Sequence, residues 1–265
     1  GVESWEETLQ RIVNLARANQ LDANAVRGCA DPSWAGFRGF LDPPGEDHRA
    51  DWLHELHTLR AELDRTVARG VHEDGSAANL TTKSFQENHP KVLDRIARAQ
   101  SVEATPWEVW RGFLGSGAPA PLKKIFGPLR DRIAAELLSN PALHADLEGY
   151  VRGLFHCAAD SLEAYEQFKR DNALMDFVDQ EAKVLDLARH NRAFRESFRG
   201  RINVPVVDEF QDTSPLQLAL FLELGALVRR AVWVGDPKQA IYEFRGTDPE
   251  LMEAVMAQVP PERRE

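Results

Sequence analysis

Cysteine is nearly absent: only Cys29 and Cys157 occur in 265 residues. One disulfide could join them, but no disulfide framework, and no histidine stands at metal-ligand spacing from either. A reduced, cytoplasmic setting is the simpler expectation. Lysine is scarce too, at 7 of the 32 basic residues, and 42 acidic residues bring the net charge to −10. That balance argues against a strongly basic nucleic-acid wrapper and a polybasic membrane binder. Any contact with DNA must use local patches against an unfavourable overall field. Long apolar runs are missing as well. Stretches such as 218–228 fall far short of the roughly 20 residues that span a bilayer. No basic segment leads into an apolar one at the N-terminus, so no signal peptide is expected.

What is present suits a packed globular chain of one large domain or two modest ones, with 43% apolar and 28% charged residues. The first two hundred residues read almost wholly as helices. Ser4 and Glu7 form a capping box ahead of Leu9, Ile12, Val13 and Ala16 at helical spacing. A Gly/Pro-rich break is expected from Gly28 to Gly45. A helix is expected over His48–Arg69, another from Pro90 to about Ala99, and shorter ones around 106–114 and 122–138. The clearest periodicity, 145–169, places Leu147, Val151, Leu154, Ala158, Leu162, Tyr165 and Phe168 on one stripe, which predicts core packing. A further helix is expected near 175–189.

The texture changes near residue 202. Ile202–Val207 is a short β-rich run, Pro215 opens an apolar helix, and Ala231–Val234 is a second β-rich run. A last helix is expected over roughly Pro249–Val259. Strand, helix, strand with short turns predicts a parallel α/β unit. The expected fold class is therefore α/β, mostly α in this chain. Its expected parts are a helical region, 1–200, and part of an α/β core with two short parallel strands, 201–265.

Each apolar run ends in chemistry. Val207 leads directly into Asp208 and Glu209. Ligands of open parallel sheets sit beyond the carboxyl ends of the strands. There an Asp can hold Mg²⁺ and a Glu can deprotonate a water attacking a phosphoryl group. The plain alternative is a solvated acidic turn. After Val234 comes Gly235-Asp236-Pro237-Lys238-Gln239, whose amide can reach a terminal phosphate. Tyr242, Phe244 and Arg245 then offer two π faces and a guanidinium, which suit stacked bases and a phosphate. The alternative places these aromatics in a core.

Together, DEFQDTSPLQ (208–217) and VGDPKQAIYEFRG (234–246) resemble motifs II and III of the UvrD/Rep-type superfamily 1 DNA helicases, the second string most like the RecB/AddA branch. Asn172–Asp179 resembles the Asp-Phe segment upstream of motif II. The resemblance implies Asp208 as the Mg²⁺-associated aspartate, Glu209 as the catalytic glutamate, and Gln239 as the γ-phosphate contact. It implies Tyr242, Phe244 and Arg245 as single-stranded DNA contacts, and supporting roles for Gln211, Asp212 and Asp236. It further implies a helical 1B-like insertion subdomain before a partial RecA-like P-loop NTPase core. ATP and Mg²⁺ follow as cofactors. Single-stranded and duplex DNA, the remaining motor domains and a nuclease subunit or domain follow as partners, with no membrane. Phe244 stands where many relatives carry Trp, and Pro205 removes one ladder donor, which predicts a bulged or one-sided strand.

No Gly-Lys-Ser/Thr triplet occurs anywhere in the chain, so no phosphate-cradling loop is present. The expectation is an internal piece of a helicase that neither hydrolyses ATP nor unwinds DNA alone, with an exposed apolar edge beside Ala231–Val234. The rival is a non-catalytic DNA-binding or protein-interaction module derived from a helicase. Lesser candidates are the His48, His54 and His57 group and the basic faces at Lys91, Arg95 and Arg98 and at Lys123, Lys124, Arg130 and Arg132. For these, and for Trp107 and Trp110, ordinary surface or packing roles are favoured.

Overall fold

The computed structural model describes residues 4–115 and 118–236 together with 254, 255 and 257. Helices dominate, and each begins where local chemistry permits. The first, α1 (Trp5–Ala18), is capped as expected: the Glu7 amide donates to Ser4 Oγ at 3.2 Å, and the Ser4 amide donates to Glu7 Oε2 at 2.8 Å. α2 (Ala23–Gly28) precedes the segment expected to be broken and α3 (Ala30–Arg38) occupies its first part, while 39–48 carry no helix. Pro32 lies in the first turn of α3, where its missing N–H has no intrahelical acceptor to lose.

α4 (Arg49–Arg69) matches expectation and ends at Gly70, whose φ of 73° is the left-handed C-terminal conformation that glycine adopts without strain. α5 (Lys83–Arg98) starts earlier than expected, at the Thr82 cap, with Pro90 inside it. Burial of Phe85, Val92 and Ile96 on one face outweighs the hydrogen bond that Pro90 cannot donate. α6 (Trp107–Phe113) and α7 (Ala120–Glu136) come next. The long α8 (Pro141–Asp171) is capped by buried Asn140, whose Oδ1 accepts the Ala142 amide at 2.9 Å. After it come α9 (Phe177–His190), α10 (Arg192–Arg201), β1 (Val206–Val207), α11 (Pro215–Ala226) and β2 (Val232–Trp233). Most of the helix expected over Pro249–Val259 lies outside the described residues.

Packing divides the chain into Trp34–Tyr150 and a discontinuous unit made of 1–33 and 151–265. This grouping differs from the change of texture near 202. The reason is that periodicity reports which residues are helical, not which helix meets which. The continuous unit is built on helices, with Trp52, Leu56 and Leu63 of α4 packed on Ile96 of α5, Trp110 of α6, and Leu129 and Ile133 of α7. Trp52 and Trp110 meet edge to face at 5.5 Å, so both are core.

In the discontinuous unit, Ala16 and Val26 meet Ala158, Ala159 and Leu162 of α8. Leu185 of α9 packs on Leu216 and Leu220 of α11. The expected stripe of α8 is buried only in its middle, since Tyr165 and Phe168 are exposed. Lys169, 4% exposed, takes the inward place, paired with Asp179 at 2.5 Å and Glu166 at 2.7 Å. Among the described residues no helix is long and apolar enough to cross a membrane.

Candidate functional site

Val206 pairs with Val232 and Val207 with Trp233 in a parallel two-stranded sheet, and α11 is the connection between the strands. Pro205 does not interrupt the pairing. The ladder uses its carbonyl, which accepts the Val232 amide at 3.1 Å, so its missing N–H costs no bond there. The Val234 amide continues the ladder to Val207 O at 2.8 Å. On one side, Phe210 and Trp233 stack at 4.9 Å over Leu218 of α11. On the other, Val206 (64% exposed), Val232 and Val234 face outward. These valines form an exposed apolar face of the sheet, where an exposed apolar edge was expected beside Ala231–Val234.

The parallel register brings the carboxyl ends of both strands together. Asp208 and Glu209 leave the tip of β1 exposed to solvent. The Glu209 amide donates to Asp208 Oδ1 at 3.0 Å, which orients the Asp208 side chain. Glu209 itself adopts φ 51° and ψ 44°, a left-handed conformation that costs a non-glycine residue about 1–2 kcal/mol. Two backbone hydrogen bonds hold this turn. The Phe210 amide crosses to Val234 O at 2.9 Å, and the Asp212 amide returns to Glu209 O at 2.9 Å.

Gln211 is buried between the two tips. Its Oε1 accepts the Asp236 amide at 3.0 Å, which leaves Nε2 to donate to Glu209 Oε2 at 2.6 Å. The backbone N–H can only donate, so this pair of bonds sets the amide orientation. Gly235 permits the close approach. A Cβ built there would lie 2.7 Å from Gln211 Oε1 and 3.1 Å from both Cβ and N of Phe210.

The exposed Asp208 carboxylate is a hard oxygen donor of the kind that holds a cation retaining most of its own water. Asp212 Oδ1 is buried without a hydrogen-bond partner among the described residues. No cluster of three or more metal-ligating side chains occurs among the described residues, and such a cation needs no all-protein cage. Gln239, Tyr242, Phe244 and Arg245 lie outside the described residues.

Asp176, in the Asp-Phe segment, caps α9 and meets Arg17 at 2.5 Å and the Tyr165 hydroxyl at 2.9 Å, while Phe177 is exposed. Burial works to raise the Asp176 pKa. The Asp179 amide, the Tyr165 hydroxyl and the Arg17 guanidinium overcome it and hold that carboxyl at about 2. Most of the basic candidates are occupied within their own unit. Arg98 pairs with Glu108 at 3.2 Å, Lys124 with Asp74 at 2.5 Å, and Arg132 with Glu55 at 3.0 Å. Sequence reasoning gave Gln211 only a supporting role and gave Gly235 none. The available signal was a small residue at one strand tip facing an amide side chain two residues beyond the acid pair.

A family model described as the UvrD/REP helicase N-terminal domain matches residues 122–260. The chain is 33% identical over 236 residues to an exonuclease/helicase subunit of Streptococcus pneumoniae, RexA, covering 77% of this chain and 19% of that protein. An ATP-dependent helicase/nuclease subunit from another strain of that species is 33% identical over 275 residues, covering 91% of this chain and 22% of the relative. A putative ATP-dependent DNA helicase, YjcD of Bacillus subtilis, is 31% identical over 90 residues, covering 34% of this chain and 12% of that protein. The chain thus spans about a fifth of the length of the two streptococcal relatives.

Proposed function

The chain belongs to the UvrD/REP helicase family, and on that footing we propose that it is part of an ATP- and Mg²⁺-dependent DNA helicase or translocase that moves 3′→5′ in repair or recombination. The observation that carries this reading is the acid pair Asp208-Glu209 at the tip of β1, beside the tip of a parallel neighbour and bound to it through Gln211. In this role Asp208 holds Mg²⁺ through its exposed carboxylate. The metal, when bound, neutralises charge on the nucleotide's outer phosphates. Glu209 orients a water molecule and takes its proton, and Gln211 leaves Glu209 Oε1 for that task.

Gln239 contacts the γ-phosphate, and Tyr242, Phe244 and Arg245 grip single-stranded DNA. The chain has no Gly-Lys-Ser/Thr triplet, so turnover belongs to the parent enzyme and not to these 265 residues alone. Its partners are single-stranded and duplex DNA, the remaining motor domains and a nuclease subunit or domain. The chain leaves its discontinuous unit after residue 33 and returns to it at 151. That path supports reading Trp34–Tyr150 as a helical insertion and 201–265 as part of a RecA-like motor domain.

The test is Glu209→Gln in the full-length enzyme. ATP hydrolysis stimulated by single-stranded DNA is expected to fall at least a hundredfold, with nucleotide affinity largely kept. Normal turnover in that variant refutes the assignment.

A further inference from the structure

We infer that Gln211 is a positioning residue that anchors the carboxylate of Glu209 to the backbone of the turn after β2, and so fixes that carboxylate for hydrolysis. The inference rests on the reading of Glu209 given above and goes beyond it. Its basis is a two-bond bridge. One end of the Gln211 amide holds Glu209 Oε2 at 2.6 Å, and the other holds the backbone of Asp236 at 3.0 Å. Gln211 itself is buried, so its amide has no ready access to water as a substitute partner.

It is also confined. Gly235 leaves no room for a methyl group beside Gln211 Oε1, and the Phe210 amide is bonded across to Val234. With its Oε1 held by the Asp236 amide, the Gln211 side chain can present only Nε2 to Glu209. The Glu209 backbone already occupies a left-handed well, and the bond to Gln211 opposes rotation of the side chain out of place. The bridge links one strand tip to the other through a single side chain, with two atoms in defined donor and acceptor roles.

Two variants of the full-length enzyme separate this role from simple packing. Gln211→Met fills the same space without either bond. Gln211→Glu keeps the acceptor for the Asp236 amide and replaces the donor to Glu209 with a carboxylate that repels it. Both are expected to lower kcat for ATP hydrolysis with single-stranded DNA at least tenfold, with KM for ATP and the Kd of a fluorescent ATP analogue within about twofold of wild type. Hydrogen exchange at the Asp236 amide is expected to quicken in Gln211→Met and to stay slow in Gln211→Glu.

Wild-type kcat in either variant would overturn the proposal, as would equal exchange at Asp236 in the two. The failures are distinguishable. If Glu209→Gln turns over normally, the catalytic reading itself falls. If Glu209→Gln is inactive while the Gln211 variants behave as wild type, only the bridge falls.

Discussion

Adding one methyl group at Gly235 is expected to destabilise the discontinuous unit by roughly 1–3 kcal/mol, the usual cost of overpacking a filled site. The new Cβ would sit 2.7 Å from Gln211 Oε1 and 3.1 Å from two atoms of Phe210, where ordinary carbon contacts begin at about 3.5 Å. None of these neighbours gives way freely. Gln211 is bonded at both ends, the Phe210 amide is tied to Val234 O, and the Phe210 ring stacks on Trp233. The strain must therefore lengthen the bridge or separate the strand tips. For a folding unit of this size it corresponds to a fall in midpoint temperature of about 3–10 °C. Calorimetry of wild type and Gly235→Ala gives the shift. Slowed DNA-stimulated hydrolysis in the full-length variant is expected to accompany it. A Gly235→Ala protein with unchanged midpoint and unchanged turnover would show that the tips do not approach this closely.

Other perturbations probe the helical core and the acid-sensitive cap of α9. Trp52→Ala removes a fully buried ring packed on Trp110, together with its bond to Glu136 Oε2 at 2.7 Å. It is expected to cost about 3–5 kcal/mol, read from the urea midpoint of the helical unit; a loss below about 1 kcal/mol would contradict that core. Asp176 titrates at about 2, below its ordinary value of 3.8. Its contribution is therefore complete above about pH 4 and is lost as pH falls through about 2. Allowing for partial exposure, it amounts to about 1–2 kcal/mol at neutral pH. Acid titration of stability in wild type should show this loss, and Asp176→Asn should lose about 1–2 kcal/mol less across the same window. An identical acid profile in the two proteins would remove Asp176 from the account.

Much of this architecture was legible without coordinates. The Ser4 cap, the long helix through 145–169 and the strand–helix–strand run after 202 arise from bonding and periodicity within a few residues of each position. Acidic side chains directly after an apolar strand are equally local, so Asp208 and Glu209 stood out. Tertiary structure decided what depends on distant neighbours. It grouped α9 with α11, turned Lys169 inward, and carried α5 through Pro90 because the buried face repaid the missing bond. It also made Gln211 a bridge, since its two partners lie on different strands and meet only once the parallel register is formed. The physical reason is range: caps and stripes are written in neighbouring residues, whereas burial and cross-strand hydrogen bonds exist only after separate segments have packed.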